Sequence, residues 1–142
     1  MKIGIVGSEA AKFTEETQLK AVDIITNLLV NDHATEVVSG GCHLGGIDEW
    51  AALIGAELGL KVTEFLPKSK SWSAGYKPRN IQIAEHSDVV YCITVKELPP
   101  DYQGMRFNLC YHCGTDDHVK SGGCWTVKYA KSIGKHTEVI VI

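Results

Sequence analysis

Apolar positions in this chain follow two rhythms, short β-branched runs and longer stretches with an apolar residue every three or four positions, and the two take turns from end to end. Ile3-Gly4-Ile5-Val6 predicts a first strand that ends at Gly7-Ser8-Glu9. Thr14 stands where a helix cap belongs, Glu15 and Glu16 fill the first turn, and Leu19, Val22, Thr26 and Leu29 mark a mostly apolar stripe that stops at Asn31-Asp32. Glu36-Val37-Val38 predicts a second strand, which runs into Ser39-Gly40-Gly41-Cys42-His43-Leu44-Gly45-Gly46. Ile47, Ala51, Ile54 and Leu58 then recur at helical spacing up to Gly59, a residue suited to end a helix. Lys61–Leu66 predicts a third strand, stopped by Pro67. The polar stretch from Lys68 to Lys77, with Trp72 and Tyr76, is a loop placed to close over a ligand, and Pro78 opens a short helix. Asp88–Val95 is nearly all apolar, as expected of a central parallel strand buried on both faces.

The rhythm breaks at about residues 97–120, a stretch with no periodicity that carries Cys110, His112, Cys113 and His118 and reads as an insertion. Ser121-Gly122-Gly123 opens a last helix with Val127, Ala130 and Ile133 inward and Gly134 as its stop, and Glu138–Ile142 closes the sheet. The order β-α-β-α-β-α-β-insertion-α-β predicts an α/β fold. It is a three-layer sandwich with a mostly parallel five-stranded sheet, and residues 1–142 form one domain. Ligands of such sheets bind beyond the carboxyl ends of the strands. The turns at Gly7, Gly40-Gly41 and Gly122 all belong to that edge.

Composition narrows the function. A net charge of −3 and a pI near 6.0 give no basic face for duplex nucleic acid. No apolar run approaches the roughly 20 residues of a membrane span. The first residues read as a strand and not as a signal peptide, so a cytoplasmic protein is expected, and the five cysteines read as thiols or metal ligands before disulfides.

Glycine turns that open onto helices aim backbone N–H groups and a helix dipole at one point, which suits phosphate or another anion. Gly7 with Ser8, Gly40, Gly41, Gly45 and Gly46, and Gly122 with Gly123 are therefore candidate ligand contacts. Arg79 offers a planar fork for phosphate, against a plain surface ion pair. Asn80 either bonds a base or ribose or caps a helix. Asp48 takes ribose hydroxyls, acts as a base, or is an ordinary first-turn acid. Thr126 offers a hydroxyl to phosphate, and Trp72 and Tyr76 either stack on a base or pack on the domain's own surface. Glu9 and Asp48 are the candidate general acids or bases, and Cys42 beside His43 is a thiol near a helix N-terminus. Cys110-x-x-Cys113 has knuckle spacing for zinc, with His118 third and Cys124 or His112 fourth. The alternative is a loop of free thiols or a redox pair. A segment with few apolar side chains gains most from such a cross-link, so zinc is expected in a structural role. No organic cofactor is expected.

Gly4-Ile5-Val6-Gly7-Ser8, Ser39-Gly40-Gly41 with Gly46-Ile47-Asp48, Tyr76-Lys77-Pro78-Arg79-Asn80 and Ser121-Gly122-Gly123-Cys124-Trp125-Thr126 resemble, in order, the motifs of the SLOG superfamily. That superfamily includes the DNA-processing protein A (Smf) domain, the LOG phosphoribohydrolases and small stand-alone nucleotide-binding proteins, and the chain is most similar to the last. The resemblance implies a Rossmann-like fold, a nucleotide or nucleotide-sugar site and a homodimer. Two departures narrow it. The turn after the second strand is two residues longer than usual and lacks the basic residue of the DNA-processing branch. At the last turn, Ser121, Trp125 and Tyr129 stand where LOG enzymes have proline, glycine and the catalytic glutamate.

Two functions from different classes follow. One is a module for a nucleotide or nucleotide-derived signal, as a sensor or with weak N-glycosidic hydrolysis by Glu9 or Asp48. The other is a single-strand nucleic-acid accessory protein using Lys68, Lys70, Lys77, Lys120 and Lys128 with Trp72 and Trp125 as stacking platforms. The acidic balance favours the first.

Overall fold

The computed structural model describes residues 1–142. Five strands, β1 (Lys2–Gly7), β2 (Glu36–Ser39), β3 (Lys61–Glu64), β4 (Val89–Thr94) and β5 (His136–Val141), form one sheet in the order β3-β2-β1-β4-β5. Every neighbouring pair is parallel. Helices α1 (Glu15–Asn31), α2 (Ile47–Glu57), α3 (Lys77–His86) and α4 (Gly123–Ser132) make the crossovers. The centre falls on β1, with β4 beside it and buried along its whole length.

Alternation along the strands divides the core in two. Ile3, Ile5, Val37, Tyr91 and Ile93 meet Ala21, Ile25 and Leu29 of α1 and Ile47, Ala51 and Ile54 of α2 on one face. Val6, Val38, Val90 and Cys92 meet Ile83 and Ala84 of α3 and Val127 and Ala130 of α4 on the other. Successive strand residues point to opposite faces, so both layers are served by one sheet. The result is the expected α/β three-layer sandwich.

Helix α1 starts as the sequence implies. Thr14 Oγ1 accepts from the Thr17 N–H at 3.1 Å while Thr17 Oγ1 accepts from the Thr14 N–H at 2.8 Å, a capping box. Its inward stripe is Ala21, Ile25 and Leu29, whereas Leu19 is 67% exposed. The stripe read from sequence was offset because the larger Leu19 outweighed Ala21, the residue that fits close against the sheet. Leu58 and Ile133, also expected inward, are exposed because each sits at the fraying end of its helix. Gly59 and Gly134 follow in the left-handed region that ends helices. The third strand is shorter than expected, and the Trp72–Tyr76 stretch is a π-type turn that runs directly into α3.

One carboxylate is buried for structural reasons. Glu36 accepts from His86 Nε2 at 2.5 Å and from Thr63 Oγ1 at 2.8 Å, tying β2 to β3 and α3. Burial alone would raise its pKa, but the His86 and Thr63 bonds and the charges of His86 and Lys61 bring it below the usual carboxylate value.

Candidate functional site

Beyond the carboxyl ends of β1, β2 and β4 lies a cavity of about 820 Å³. It sits where the sheet order turns from β1 to β4, the place where loops diverge and open α/β sheets bind ligands. Its floor is the end of β1. Ser8 Oγ and Thr94 Oγ1 join across the strand ends at 2.8 Å, and the Ser8 N–H donates to the Ile93 carbonyl at 3.1 Å.

The glycine turns divide the work differently from expectation. Gly40 lies directly under the Arg79 guanidinium and the Asp48 carboxyl and does not itself line the cavity. Gly45 and Gly46, both at positive φ, do not line the cavity. A Cβ on Gly46 would strike the Ser8–Ala10 backbone, and the Ile47 N–H donates to the Ser8 carbonyl at 3.2 Å, so this turn docks α2 onto the loop after β1. Gly41 faces Leu66 and Glu64, outside the cavity. Gly7, Ser8 and Glu9 line it, as do Cys42 and His43. At the start of α4, a Cβ on Gly123 would stand 2.8 Å from Cys92 Sγ and 3.0 Å from the Gly7 N, so only glycine lets the helix end come so close. Gly122 has open space on its side-chain face and lines the cavity with Ser121. Thr126, expected nearby, is 1% exposed and is not part of the lining.

Two side chains carry the cavity's sharpest electrostatics. Arg79 donates from Nη1 to the Gly40 carbonyl at 2.5 Å and from Nε to Asn80 Oδ1 at 2.8 Å, and its Cζ lies 5.5 Å from the centre of the Tyr76 ring. Two of its five N–H donors are thereby used, and the fork is held in place with donors to spare. Asn80 is thus occupied in orienting Arg79. Asp48 is 7% exposed, and its Oδ1 has no hydrogen-bond partner. Burial pushes its pKa up to about 6, against the opposing pull of Arg79.

Sequence reasoning missed that the insertion supplies a whole wall. Tyr102, Met105, Phe107, Tyr111 and His112 all line the cavity. Tyr102 donates its hydroxyl to Glu9 at 3.2 Å, which fastens the insertion to the loop after β1. Lys120 Nζ lies 5.3 Å from the centre of the Phe107 ring and 5.2 Å from that of Tyr111. Lys12 was missed too. It lines the cavity and donates to the Lys120 carbonyl at 3.0 Å, and burial lowers its pKa. The signal for it was position alone, a lysine between the first glycine turn and the Thr14 cap. Trp72 packs edge-on against Trp125 with ring centres 5.0 Å apart, so the two indoles form one aromatic ledge at the cavity.

Behind the insertion wall, Cys110, Cys113, His118 and Cys124 converge, with their ligand atoms all within 4.8 Å of one another. Of the two fourth ligands left open by the sequence, Cys124 joins this cluster, and His112 lines the cavity instead. The knuckle is well formed. The N–H groups of Cys113 and Gly114 donate to the Cys110 carbonyl at 3.2 and 2.8 Å, Cys110 bridges to Thr115, and Gly114 takes a positive φ. Burial would raise the Cys110 thiol, but N–H groups of Cys113 and Ser121 and the His118 ring bring it down to about 7. The same burial and the neighbouring thiols push Cys113 up to about 12, and the bond with Cys92 together with burial raises Cys124. Three thiols this close cannot all ionise without a compensating cation, and a divalent ion supplies one. A tetrahedral site with sulfur ligands at about 2.3 Å has ligand atoms about 3.8 Å apart, within a small adjustment of this arrangement. His118 Nδ1 is 2.8 Å from Asp117 Oδ1, which leaves Nε2 toward the cluster, the carboxylate–histidine pairing common behind metal ligands. The four residues can hold a metal ion.

No protein-family model matches the sequence, and no curated protein gives a significant match. Solved structures do match. The molybdenum cofactor carrier protein from Chlamydomonas reinhardtii aligns over 97% of this chain and 74% of its own, with a TM-score of 0.62 at 18% identity. The X-ray structure of TM1055, a structural-genomics target, aligns over 66% of this chain and 60% of its own, with a TM-score of 0.51 at 19% identity. DNA processing protein A from Streptococcus pneumoniae aligns over 98% of this chain and 58% of its own, with a TM-score of 0.49 at 14% identity. At 18% and 19% identity the first two show a shared fold, a Rossmann-like α/β sandwich with a parallel sheet.

Proposed function

We propose that this chain binds a nucleotide or nucleotide-derived ligand in the cavity at the carboxyl edge of the sheet. The supporting observation is a single one: a guanidinium fixed by the Gly40 carbonyl and Asn80 faces the same cleft as the open-faced Gly122 at a helix start and a set of aromatic side chains. Phosphate suits the first two and a flat base suits the third. A net charge of −3 favours a small ligand over a nucleic-acid strand in this cleft. Glu9 and Asp48 are the carboxylates that face this space, so N-glycosidic hydrolysis of a bound nucleotide would fall to one of them. A molybdenum cofactor carrier among the proteins of like fold adds that cofactor to the ligands worth trying.

The Cys110, Cys113, His118 and Cys124 cluster holds zinc in this reading, with a structural role. Four protein ligands close the coordination sphere, and the site fixes the Lys120–Gly123 segment that forms part of the cavity. Thermal unfolding of the zinc-loaded protein with ATP, ADP, AMP, ADP-ribose, NAD and molybdenum cofactor tests the ligand reading. At least one raises the melting temperature of the wild type, and Arg79→Ala abolishes that rise. No shift across the whole panel overturns the proposal.

A further inference from the structure

Two lysines of the cavity share one corner and have no counter-ion. Lys12 ends the single turn Ala10–Lys12 after β1, Lys120 ends the insertion, and both line the cavity while half-buried. The ion pairs of the chain are Lys20–Glu16, Lys61–Glu36, His86–Glu36 and His118–Asp117, so neither ammonium meets a carboxylate. Other contacts hold them in place. Lys12 Nζ donates to the Lys120 carbonyl at 3.0 Å, and Lys120 Nζ, which makes no hydrogen bond, lies over the rings of Phe107 and Tyr111. Burial disfavours the Lys12 ammonium, Glu9 opposes it from beyond ion-pair distance while bonded to Tyr102, and the charge of Lys120 adds to the burial.

Like charges brought together in a half-buried corner repel until an anion joins them. Of three donors each, Lys12 has two left and Lys120 all three. Five donors and two charges suit the several oxygens of a phosphate better than the two of a carboxylate. Position separates this corner from Arg79. Arg79 is tied to the Gly40 carbonyl, one residue past β2, whereas Lys120 follows Val119, whose N–H donates to the Val95 carbonyl, one residue past β4. With β1 between β2 and β4, these backbone anchors stand two strand spacings, or about 10 Å, apart. One phosphate on Arg79 leaves the lysines unanswered.

We propose that Lys12 and Lys120 form a second anion subsite that takes a further phosphate of the ligand, so that the cavity selects nucleoside di- and triphosphates over monophosphates. The inference rests on the nucleotide reading above and names the class of nucleotide. Arg79 serves one phosphate of the chain and the lysine pair the next.

Calorimetric titration of the native protein with AMP, ADP and ATP, without added magnesium, tests the subsite. ADP or ATP binds about 10- to 100-fold more tightly than AMP, the range for gaining hydrogen bonds to charged groups. Lys120→Gln, which removes an ammonium that makes no hydrogen bond within the protein, cuts that preference, and the Lys12→Gln/Lys120→Gln pair removes it. AMP affinity stays within about threefold of wild type in both, since the bonds removed were never made to AMP. Equal affinity for the three nucleotides, or a Lys120→Gln that weakens AMP and ADP alike, overturns the proposal. If no nucleotide binds, the nucleotide reading falls, and inorganic pyrophosphate decides the subsite. Binding of pyrophosphate that Lys120→Gln weakens about tenfold or more supports it. No binding, or binding indifferent to Lys120→Gln, overturns it.

Discussion

The cavity has two walls held by different forces. The sheet-side wall, formed by the loops after β1 and β2 and the starts of α2 and α3, stands on two apolar layers and a ladder of parallel strands. The insertion wall has Phe107, Leu109, Tyr111 and Met105 exposed at 45% or more, and Cys110 is its one hydrophobic member buried in the core. Apart from turns and one bridge, it is held by the Cys3His cluster, the Tyr102–Glu9 bond, Lys120 against two rings, the Lys12 bond to the Lys120 carbonyl, and Val119, which is hydrogen-bonded to Val95 and Thr94. Cluster residues and cavity-lining residues even interleave along the chain: Cys110 and Cys113 flank Tyr111 and His112, and His118 and Cys124 flank Lys120 to Gly123. The sheet-side half thus stands on burial, while a half poor in apolar residues has most to gain from a cross-link at the four side chains.

Removing the metal should separate the walls most sharply. Cys110→Ser, or chelation of the wild type, should take zinc from about one per chain to none, abolish ligand-induced stabilisation and open the amides of residues 99–125 to hydrogen exchange. The amides of β1, β2 and β4 should stay protected. Elemental analysis with exchange mass spectrometry checks both halves, and uniform loss of protection would show that the two walls are one cooperative unit.

The difference between the walls also explains what was legible in the sequence. Burial writes itself into periodicity, so Ile47, Ala51 and Ile54, the strand runs and the α/β order could be read directly. The Cys3His residues were legible because thiols and imidazole carry chemistry in their identity, though their mutual approach was not. Gly45 and Gly46 looked the same as Gly40 and Gly122 on paper. Only the fold distinguishes a glycine that lets α2 dock on the Ser8 loop from one that lets the Arg79 guanidinium lie against the backbone. Tyr102, Phe107 and Lys12 had no signal, because aromatic and basic residues in irregular segments have no period and their role depends on where the chain returns.

A core substitution should show the opposite pattern to metal loss. Ile5, fully buried on the central strand, is truncated in Ile5→Ala at a cost of about 2–5 kcal/mol in global stability. Zinc content per folded molecule should not change. Urea unfolding followed by elemental analysis of the native fraction measures both, and zinc lost from that fraction would mean that the insertion wall leans on the sheet more than the contacts indicate.

The smallest effect bears on the sheet-side wall alone, where burial outweighs the pull of Arg79 and the Cys42 N–H on the Asp48 carboxyl. Its folded pKa of about 6 stands above the ordinary 3.8 because burial disfavours the carboxylate. The folded state therefore binds the proton more tightly than the unfolded chain, and the stability so gained is fully present below pH 3.8 and lost as pH rises through about 6. The difference of about two pKa units corresponds to roughly 3 kcal/mol. Glu36 acts in the other direction, since its lowered pKa adds stability that is lost on acidification. The comparison must therefore be made between variants. Asp48→Asn should be more stable than wild type at pH 7.5 without ligand, and that advantage should shrink steadily toward pH 4. A constant difference across this range, measured by urea unfolding at each pH, would mean that burial does not hold the Asp48 carboxyl above its ordinary pKa in the free protein.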